Sequence, residues 1–180
     1  MLLKKLLRWL EDVLLTALIR RLPLEGTSAK VFTEIAKKFV LVTINLVVLR
    51  FETGRLQVLL LQRSKHDPCW PNEWHIPGTV LRRTDFPGVP IGSDYPILRI
   101  EQVELKAKLK NPPILVGEMY LPATRRGAEL TKFFLGELED NKIVQGKFFS
   151  LDDLPGEVGF PEEALVLRAA RQFVWMKHFF

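Results

Sequence analysis

The segment from residue 40 to residue 63 constrains the fold more than any other part of the chain. Residues 40–52 read VLVTINLVVLRFE and are rich in β-branched side chains, and residues 56–63 read LQVLLLQR. Both compositions are typical of β-strands. Thr53-Gly54 lies between them and is typical of a tight turn. The segment therefore predicts a β-hairpin.

Helices and further strands are predicted on both sides of this hairpin. Residues 2–21 have apolar side chains at helical spacing, with charged residues on much of the other side, and Pro23 ends the pattern. Thr27 or Ser28 is expected to cap a second helix that ends near residue 38. Loops are predicted for residues 64–73 and 84–96, helices for 97–109 and 162–178, and strands for 114–121, 130–138 and 147–149.

This order of elements predicts an α/β sandwich with a mixed sheet rather than a purely parallel, doubly wound one. An N-terminal helical segment, residues 1–38, is expected to precede a domain of residues 39–180. In the first helix we expect Leu6, Leu10, Leu14 and Leu18 to be buried against protein. In the helix of residues 97–109 the candidate buried positions are Ile97, Ile100, Leu105 and Leu109.

The composition indicates which cellular compartment and which class of ligand to expect. The 180 residues carry a formal net charge of +5, a mild excess that permits anionic ligands. The one cysteine, Cys69, excludes an internal disulfide, and Glu11 and Asp12 interrupt the apolar N-terminus, so a signal peptide is not expected. No run reaches the roughly 18 apolar residues of a membrane span. The expectation is a cytoplasmic protein with no transmembrane segment.

The stretch Trp74–Gly78, which reads WHIPG, is the most distinctive motif. Pro77-Gly78 after a strand-like run marks a sharp change of direction, and we expect Gly78 to adopt a backbone conformation that favours glycine. The motif, the preceding strand of residues 58–63 and two later segments, RRGAELTKFFLGELE and GKFFSLDDLP, resemble the Nudix hydrolase family. The resemblance covers roughly residues 40–178 and implies a Nudix-like α/β/α sandwich with an added N-terminal amphipathic helix.

In that family the turn opens the Nudix box, G-x5-E-x7-R-E-U-x-E-E-x-G-U, where U is a bulky aliphatic residue. Gly78 matches the first glycine, and Thr84 takes the place of the first glutamate, with Asp85 beside it. Arg99 is the best match to the arginine, although it lies 21 residues after Gly78 instead of 14, which implies seven additional loop residues. On this alignment Ile100 and Val103 replace two carboxylates and Glu104 alone stays in register.

The resemblance implies that the carboxylates of the box hold Mg²⁺ or Mn²⁺ ions, which neutralise a diphosphate and activate water. Glu104 is the leading candidate for a catalytic and metal-binding residue. Glu101 is the second, because the two glutamates are three positions apart and can share a helix face. On this view Arg99 is a structural or solvated residue, since its usual partner position is Ile100.

Arginine pairs on loops suit phosphate groups, because the guanidinium fork matches their geometry. The candidate substrate-binding residues are Arg63, Trp74, Arg82, Arg83, Arg125 and Arg126. Trp70 and Trp74 either stack on a nucleobase or pack over the sheet.

The function implied by the resemblance is hydrolysis of a phosphoanhydride in a nucleoside diphosphate derivative, with Mg²⁺ or Mn²⁺. The alternative is a non-catalytic Nudix-like module that binds a nucleotide or a protein partner. The ligand is expected to be small, anionic and phosphate-containing, and no nucleic acid partner is predicted. The first helix could coat the core, mediate self-association or lie on an anionic membrane, and Glu11 and Asp12 favour contact with protein.

Overall fold

The computed structural model describes residues 2–21, 28–82, 85, 94–140, 143, 145–156, 158 and 162–179. The helices are α1 (Leu2–Arg21), α2 (Ala29–Ala36), α3 (Asp94–Arg99) and α4 (Glu162–Phe179), and a π-helical segment (Ile100–Leu105) continues α3. The strands are β1 (Leu41–Glu52), β2 (Arg55–Gln62), β3 (Trp74–His75), β4 (Gly78–Val80), β5 (Ile114–Leu121), β6 (Glu129–Gly136) and β7 (Lys147–Ser150).

The strands form one mixed sheet in the order β3-β2-β1-β6-β5, with β4 paired to β1 and β7 paired to β2. Strands β1 and β6 are parallel, and the other neighbours are antiparallel. Strand β1 is long enough to pair with β4 through its first half and with β2 through its second half. This arrangement confirms the predicted hairpin, whose turn residues Thr53 and Gly54 both have positive φ.

Successive side chains of a strand point to opposite faces of the sheet, and apolar side chains lie on both faces here. Val47 and Leu49 pack with Leu165, Val166 and Phe173 of α4 on one face. The side chains that pack with α3 and the π-helical segment on the other face are Ile44, Leu46, Val48 and Phe134. Both faces are therefore covered by helices, and the predicted α/β/α sandwich with a mixed sheet is confirmed.

The helix predicted for residues 97–109 differs from the observed one at both ends. Helix α3 begins at Asp94, and the π-helical segment ends at Leu105 because Lys106 has a left-handed conformation with φ 51°. Ile97, Ile100 and Leu105 are buried, as predicted. Leu109 lies beyond the helix and forms an isolated bridge with Leu138.

Gly78 does not have the special backbone conformation that the Pro-Gly pair predicts. The described glycines with positive φ are Gly54, Gly127 and Gly146. Gly78 instead pairs with Asn45 of β1, where an added Cβ would overlap the Asn45 side-chain oxygen and lie 3.2 Å from the Ile44 carbonyl oxygen. A larger residue at this position would require the Asn45 side chain to move. Residues 78–82 are strand and loop, so the chain does not pass directly from Gly78 into a helix.

The apolar side of α1 is not buried by the rest of the chain that the structure describes, so the predicted burial against protein is not provided by contacts within these residues. Leu10, Leu14 and Leu18 are 42%, 62% and 63% exposed, and the side chain of Leu6 lies outside the described set. None of the described helices is long and apolar enough to cross a membrane. A continuous exposed apolar stripe of this kind is typical of an interaction surface. The division into residues 1–38 and 39–180 stays a prediction.

Self-association through this side of α1 stays a prediction. The Leu10→Gln, Leu14→Gln double variant is expected to lower the mass measured by light scattering after size exclusion, because glutamine removes the apolar contact. A matched control, Lys5→Gln with Asp12→Asn, alters the polar side without changing the net charge and should leave the mass unchanged. Wild type and double variant that both elute with the mass of one chain would contradict self-association.

Candidate functional site

A cavity of about 570 Å³ opens at one end of the sheet. Strand β4 and the loops of residues 63–73 and 121–128 form much of its wall. The first few residues of β1 and β6 form its floor. Its polar and aromatic lining residues are Thr43, Asn45, Arg63, Trp70, Glu73, His75, Thr79, Thr124, Arg125, Arg126, Glu129 and Thr131. This volume is in the range of small-molecule sites.

The floor of the cavity is a polar interruption of an otherwise apolar core. Thr43 and Thr131 are buried, and the Asn45 amide donates a short hydrogen bond to the Thr131 hydroxyl. The sequence pattern held a signal for this floor, because Thr43 and Asn45 interrupt the apolar run of β1. Sequence reasoning nevertheless missed it, since a polar residue in a strand is equally compatible with a solvent-exposed position.

The loop of residues 63–73 is organised by the carboxylate of Asp67. Asp67 Oδ1 accepts hydrogen bonds from the backbone N–H groups of Cys69 (2.9 Å) and Trp70 (2.8 Å), and Oδ2 lies 3.4 Å from Arg63 Nη1. Burial acts to raise the pKa of Asp67, but these hydrogen bonds and the Arg63 charge together hold it below its usual value. The loop thereby positions both Trp70 and Arg63 at the cavity.

Trp70 is the aromatic residue of the large cavity, and two guanidinium groups lie near its ring. The Cζ atoms of Arg63 and Arg126 are 4.9 Å and 5.3 Å from the ring centroid. Both distances are within the range of cation–π attraction. Trp74, the tryptophan chosen from the sequence, packs edge-to-face against Phe149 at 4.8 Å. Trp74 therefore packs against Phe149, and Trp70 is the tryptophan that lines the large cavity.

Arg125 and Arg126 both reach the cavity from the loop after β5, and each has an acidic partner. Arg125 forms an ion pair with Glu73 on the facing loop and donates to the Cys69 carbonyl oxygen at 3.1 Å. Arg126 Nη2 is 3.0 Å from Glu129 Oε1, and the carboxylate of Glu129 is buried. The Arg125 side chain is 60% exposed, so its ion pair contributes little to stability.

Arg99 is a structural residue, as expected, but with a partner that the sequence did not identify. Its guanidinium forms a short ion pair with Asp85, whose side chain is 5% exposed. Arg99 Nη2 also donates to the Val80 carbonyl oxygen at 2.8 Å and to Thr79 Oγ1 at 3.0 Å. Asp85 is thus the ion-pair partner of Arg99. Thr84, the residue before it, lies outside the described residues.

Glu104 lies at a second, smaller cavity of about 440 Å³, which it shares with Leu61, Gln62, Trp74, His75, Gln145 and Gly146. Burial raises the pKa of Glu104, and the charges of Arg63, Arg99 and Arg82 act in the opposite direction. Arg82 is exposed, and Arg83 lies outside the described residues.

Glu101 does not share a site with Glu104. Its carboxylate accepts a hydrogen bond from the Leu109 backbone N–H at 2.6 Å and lines a different cavity, beside Pro112 and Pro113. The π-helical segment places the two glutamates on separate sides. Across the described ranges, no group of three or more His, Cys, Asp or Glu residues is placed to hold a metal ion.

His75 lines both cavities and was not selected from the sequence. Its Nδ1 is 2.7 Å from the Ile76 carbonyl oxygen and donates to it, so the neutral ring keeps Nε2 as an acceptor. Burial and the nearby Arg63 charge lower the pKa of His75 to about 4. The structure therefore holds His75 neutral at pH 7.

This lowered pKa predicts a loss of stability in acid. Between pH 6.5 and about 4 the unfolded chain binds a proton at His75 that the folded chain does not, so the free energy of unfolding falls as the pH falls through this window. The total loss is expected to be about 2 kcal/mol, reduced for partial exposure. Urea unfolding of wild type and His75→Gln across this range measures it. Parallel curves for the two proteins would contradict the expected linkage.

Comparison with known proteins supports the fold and leaves the sequence relationship distant. No family model matches the chain, and no curated protein matches it in sequence. The NUDIX domain of Shewanella oneidensis NrtR complexed with ADP ribose has a TM-score of 0.60 and 19% identity, over 82% of this chain and 99% of that one. An Ap4A hydrolase of C. elegans has a TM-score of 0.54 and 19% identity, over 76% and 99%.

A mutT/nudix family protein from Listeria innocua has a TM-score of 0.59 and 14% identity, over 77% of this chain and 97% of that one. Each of these matches extends over nearly the whole length of the compared chain. At such identities the likeness concerns the backbone and not the residues of a site. The chain therefore has the Nudix fold.

Proposed function

We propose that the chain is a Nudix-fold module that binds a small nucleoside diphosphate derivative in the large cavity and does not hydrolyse it. The observation that carries this proposal is the combination found at Trp70. An aromatic face and two guanidinium groups, Arg63 and Arg126, meet at a cavity of about 570 Å³. Aromatic faces suit a nucleobase, and guanidinium groups suit phosphates.

The polar floor complements this arrangement. The Asn45 amide and the Thr43 and Thr131 hydroxyls lie at the base of the cavity, where they offer both donors and acceptors. Ribose hydroxyl groups or the polar edge of a base need such partners when they lose water. The NUDIX domain of NrtR, whose fold this chain shares, is complexed with ADP ribose, a ligand of the same chemical class.

Metal-dependent hydrolysis fits the residues poorly. Ile100 is fully buried and packs with Ile97 and Leu105, while Val103 is apolar and exposed. Glu101 is engaged by the Leu109 backbone. Glu104 is thus the one described carboxylate that keeps its place in the box, and a lone carboxylate is a poor site for the two or three Mg²⁺ ions of such a mechanism.

Hydrolysis is the second candidate, and the position of Glu104 favours it. A partly buried carboxylate with a raised pKa, beside the neutral imidazole of His75, has the character of a general base. If the chain hydrolyses a phosphoanhydride, we expect Glu104 to be the carboxylate on which the rate depends most.

Calorimetric titration of the full chain with ADP-ribose tests the binding proposal. Trp70→Ala is expected to weaken binding by roughly tenfold or more, since base stacking contributes about 1–3 kcal/mol. Tyr120→Ala is the matched control, because Tyr120 is an exposed aromatic on β5 that does not line the cavity. Absence of any binding heat for the wild type, or equal affinities for both variants, would contradict the proposed site.

A further inference from the structure

We propose that a guanidinium group, that of Arg63, and not a divalent ion holds the phosphates of the ligand. This inference rests on the proposed function and names the chemistry that holds the charged part of the ligand. It concerns the large cavity, which Arg63 lines.

The acidic residues that line the large cavity are already paired with arginines. Glu73 pairs with Arg125, and Glu129 pairs with Arg126. A divalent ion at these carboxylates would have to displace a guanidinium group that lies within ion-pair distance. Glu73 and Glu129 therefore do not supply the free oxygen ligands that Mg²⁺ requires.

Glu104 is the remaining carboxylate, and across the described ranges no two further His, Cys, Asp or Glu side chains are placed beside it to complete a metal site. The charges of Arg63, Arg99 and Arg82 favour its ionised form. A divalent cation at Glu104 would meet one negative charge and three nearby positive ones. Like charges that close repel, and the repulsion is strongest where water is partly excluded. The same surroundings attract a diphosphate.

Arg63 is the arginine of the large cavity whose donors are least engaged. It has one long ion-pair contact of 3.4 Å with Asp67, which leaves most of its donors available to another acceptor. Arg125 and Arg126, the other two arginines that line this cavity, are each paired with a glutamate. Arg63 is therefore the residue best placed to bind a phosphate there.

Guanidinium groups differ from metal ions in how binding responds to conditions. They keep their charge at every physiological pH and need no added ion, so a chelator should leave binding unchanged. They attract the ligand through partly exposed charges, so added salt should weaken binding. A metal-bridged diphosphate would show the opposite response to a chelator.

The experiment is calorimetric titration of the full chain with ADP-ribose, in buffer with EDTA and in buffer with Mg²⁺ or Mn²⁺. We expect equal affinity in all three buffers, and roughly tenfold or greater weakening in Arg63→Gln. Arg55→Gln is the matched control, since Arg55 is exposed in the β1–β2 hairpin and lines neither cavity. Arg63→Lys guards against a folding defect in Arg63→Gln, because it keeps the charge beside Asp67 and is still expected to weaken binding through loss of the guanidinium fork.

The outcomes separate this inference from the proposed function. Binding that requires Mg²⁺ or Mn²⁺ would overturn the metal-free site and leave the ligand-binding function standing. Metal-independent binding that is indifferent to both Arg63 variants would also overturn it, because the phosphates would then be held elsewhere. No binding in any buffer would overturn the proposed function and this inference together.

Discussion

Ile100→Glu is expected to destabilise the domain by roughly 4 kcal/mol or more. Ile100 is fully buried in the cluster that joins α3 to the sheet, where it packs with Ile97, Leu105 and Phe134. A glutamate there either buries a charge without a partner or is protonated and still loses the apolar contact. Urea unfolding, followed by circular dichroism, measures the difference from wild type.

Val103→Glu is the matched control, because Val103 is 59% exposed in the same π-helical segment. This variant should unfold at nearly the wild-type midpoint. Equal stability for Ile100→Glu and Val103→Glu would contradict the burial of Ile100. The expected contrast also means that the missing carboxylates of the box cannot simply be restored at both positions, because one of them belongs to the core.

Asp85→Ala is expected to cost about 3 kcal/mol of unfolding free energy. The change leaves Arg99 without its acidic partner in a setting where its side chain is only 18% exposed, and it also removes the acceptor of the Arg82 backbone N–H. The value lies at the low end for a broken buried pair because Arg99 keeps its contacts with Thr79 and Val80. Thermal and urea unfolding both report it.

Glu34→Ala provides the comparison with an exposed ion pair. Glu34 pairs with Lys37 on the surface of α2, and both side chains are at least half exposed. The unfolding midpoint of this variant should match wild type within error. If Asp85→Ala is as stable as Glu34→Ala, the buried pair of Asp85 and Arg99 contributes no more to stability than an exposed one, which would contradict this prediction.

The elements that follow a strong period in the sequence were predictable from it. The hairpin shows a run rich in β-branched residues in β1 and an apolar run in β2 on either side of a turn, and α1 shows apolar residues at helical spacing. The end of the helix after Arg99 was not predictable, because the apolar pattern continues to Leu109 while the chain turns at Lys106. The change from α-helical to π-helical geometry has no marker in the residue pattern.

The candidate site was predictable in part. Arg63, Arg125 and Arg126, which were predicted from the sequence to bind phosphate, all line the large cavity. Their role in phosphate binding stays a prediction. The separation of Glu101 from Glu104 could not be foreseen, since a spacing of three places two residues together only on a regular α-helix. Trp70 and the Thr43-Asn45 floor depend on contacts between loops and strands that are distant in sequence.

The most direct test of the account is a search for turnover under conditions where the ligand binds. The full chain is incubated with ADP-ribose and with dinucleoside polyphosphates, in Mg²⁺ and in Mn²⁺, and the mixture is resolved by anion-exchange chromatography. We predict that the ligands remain intact while calorimetry on the same sample detects ADP-ribose binding. Metal-dependent release of nucleotide products by the wild type, lost in Glu104→Gln, would contradict the account and show that Glu104 supports hydrolysis in this fold.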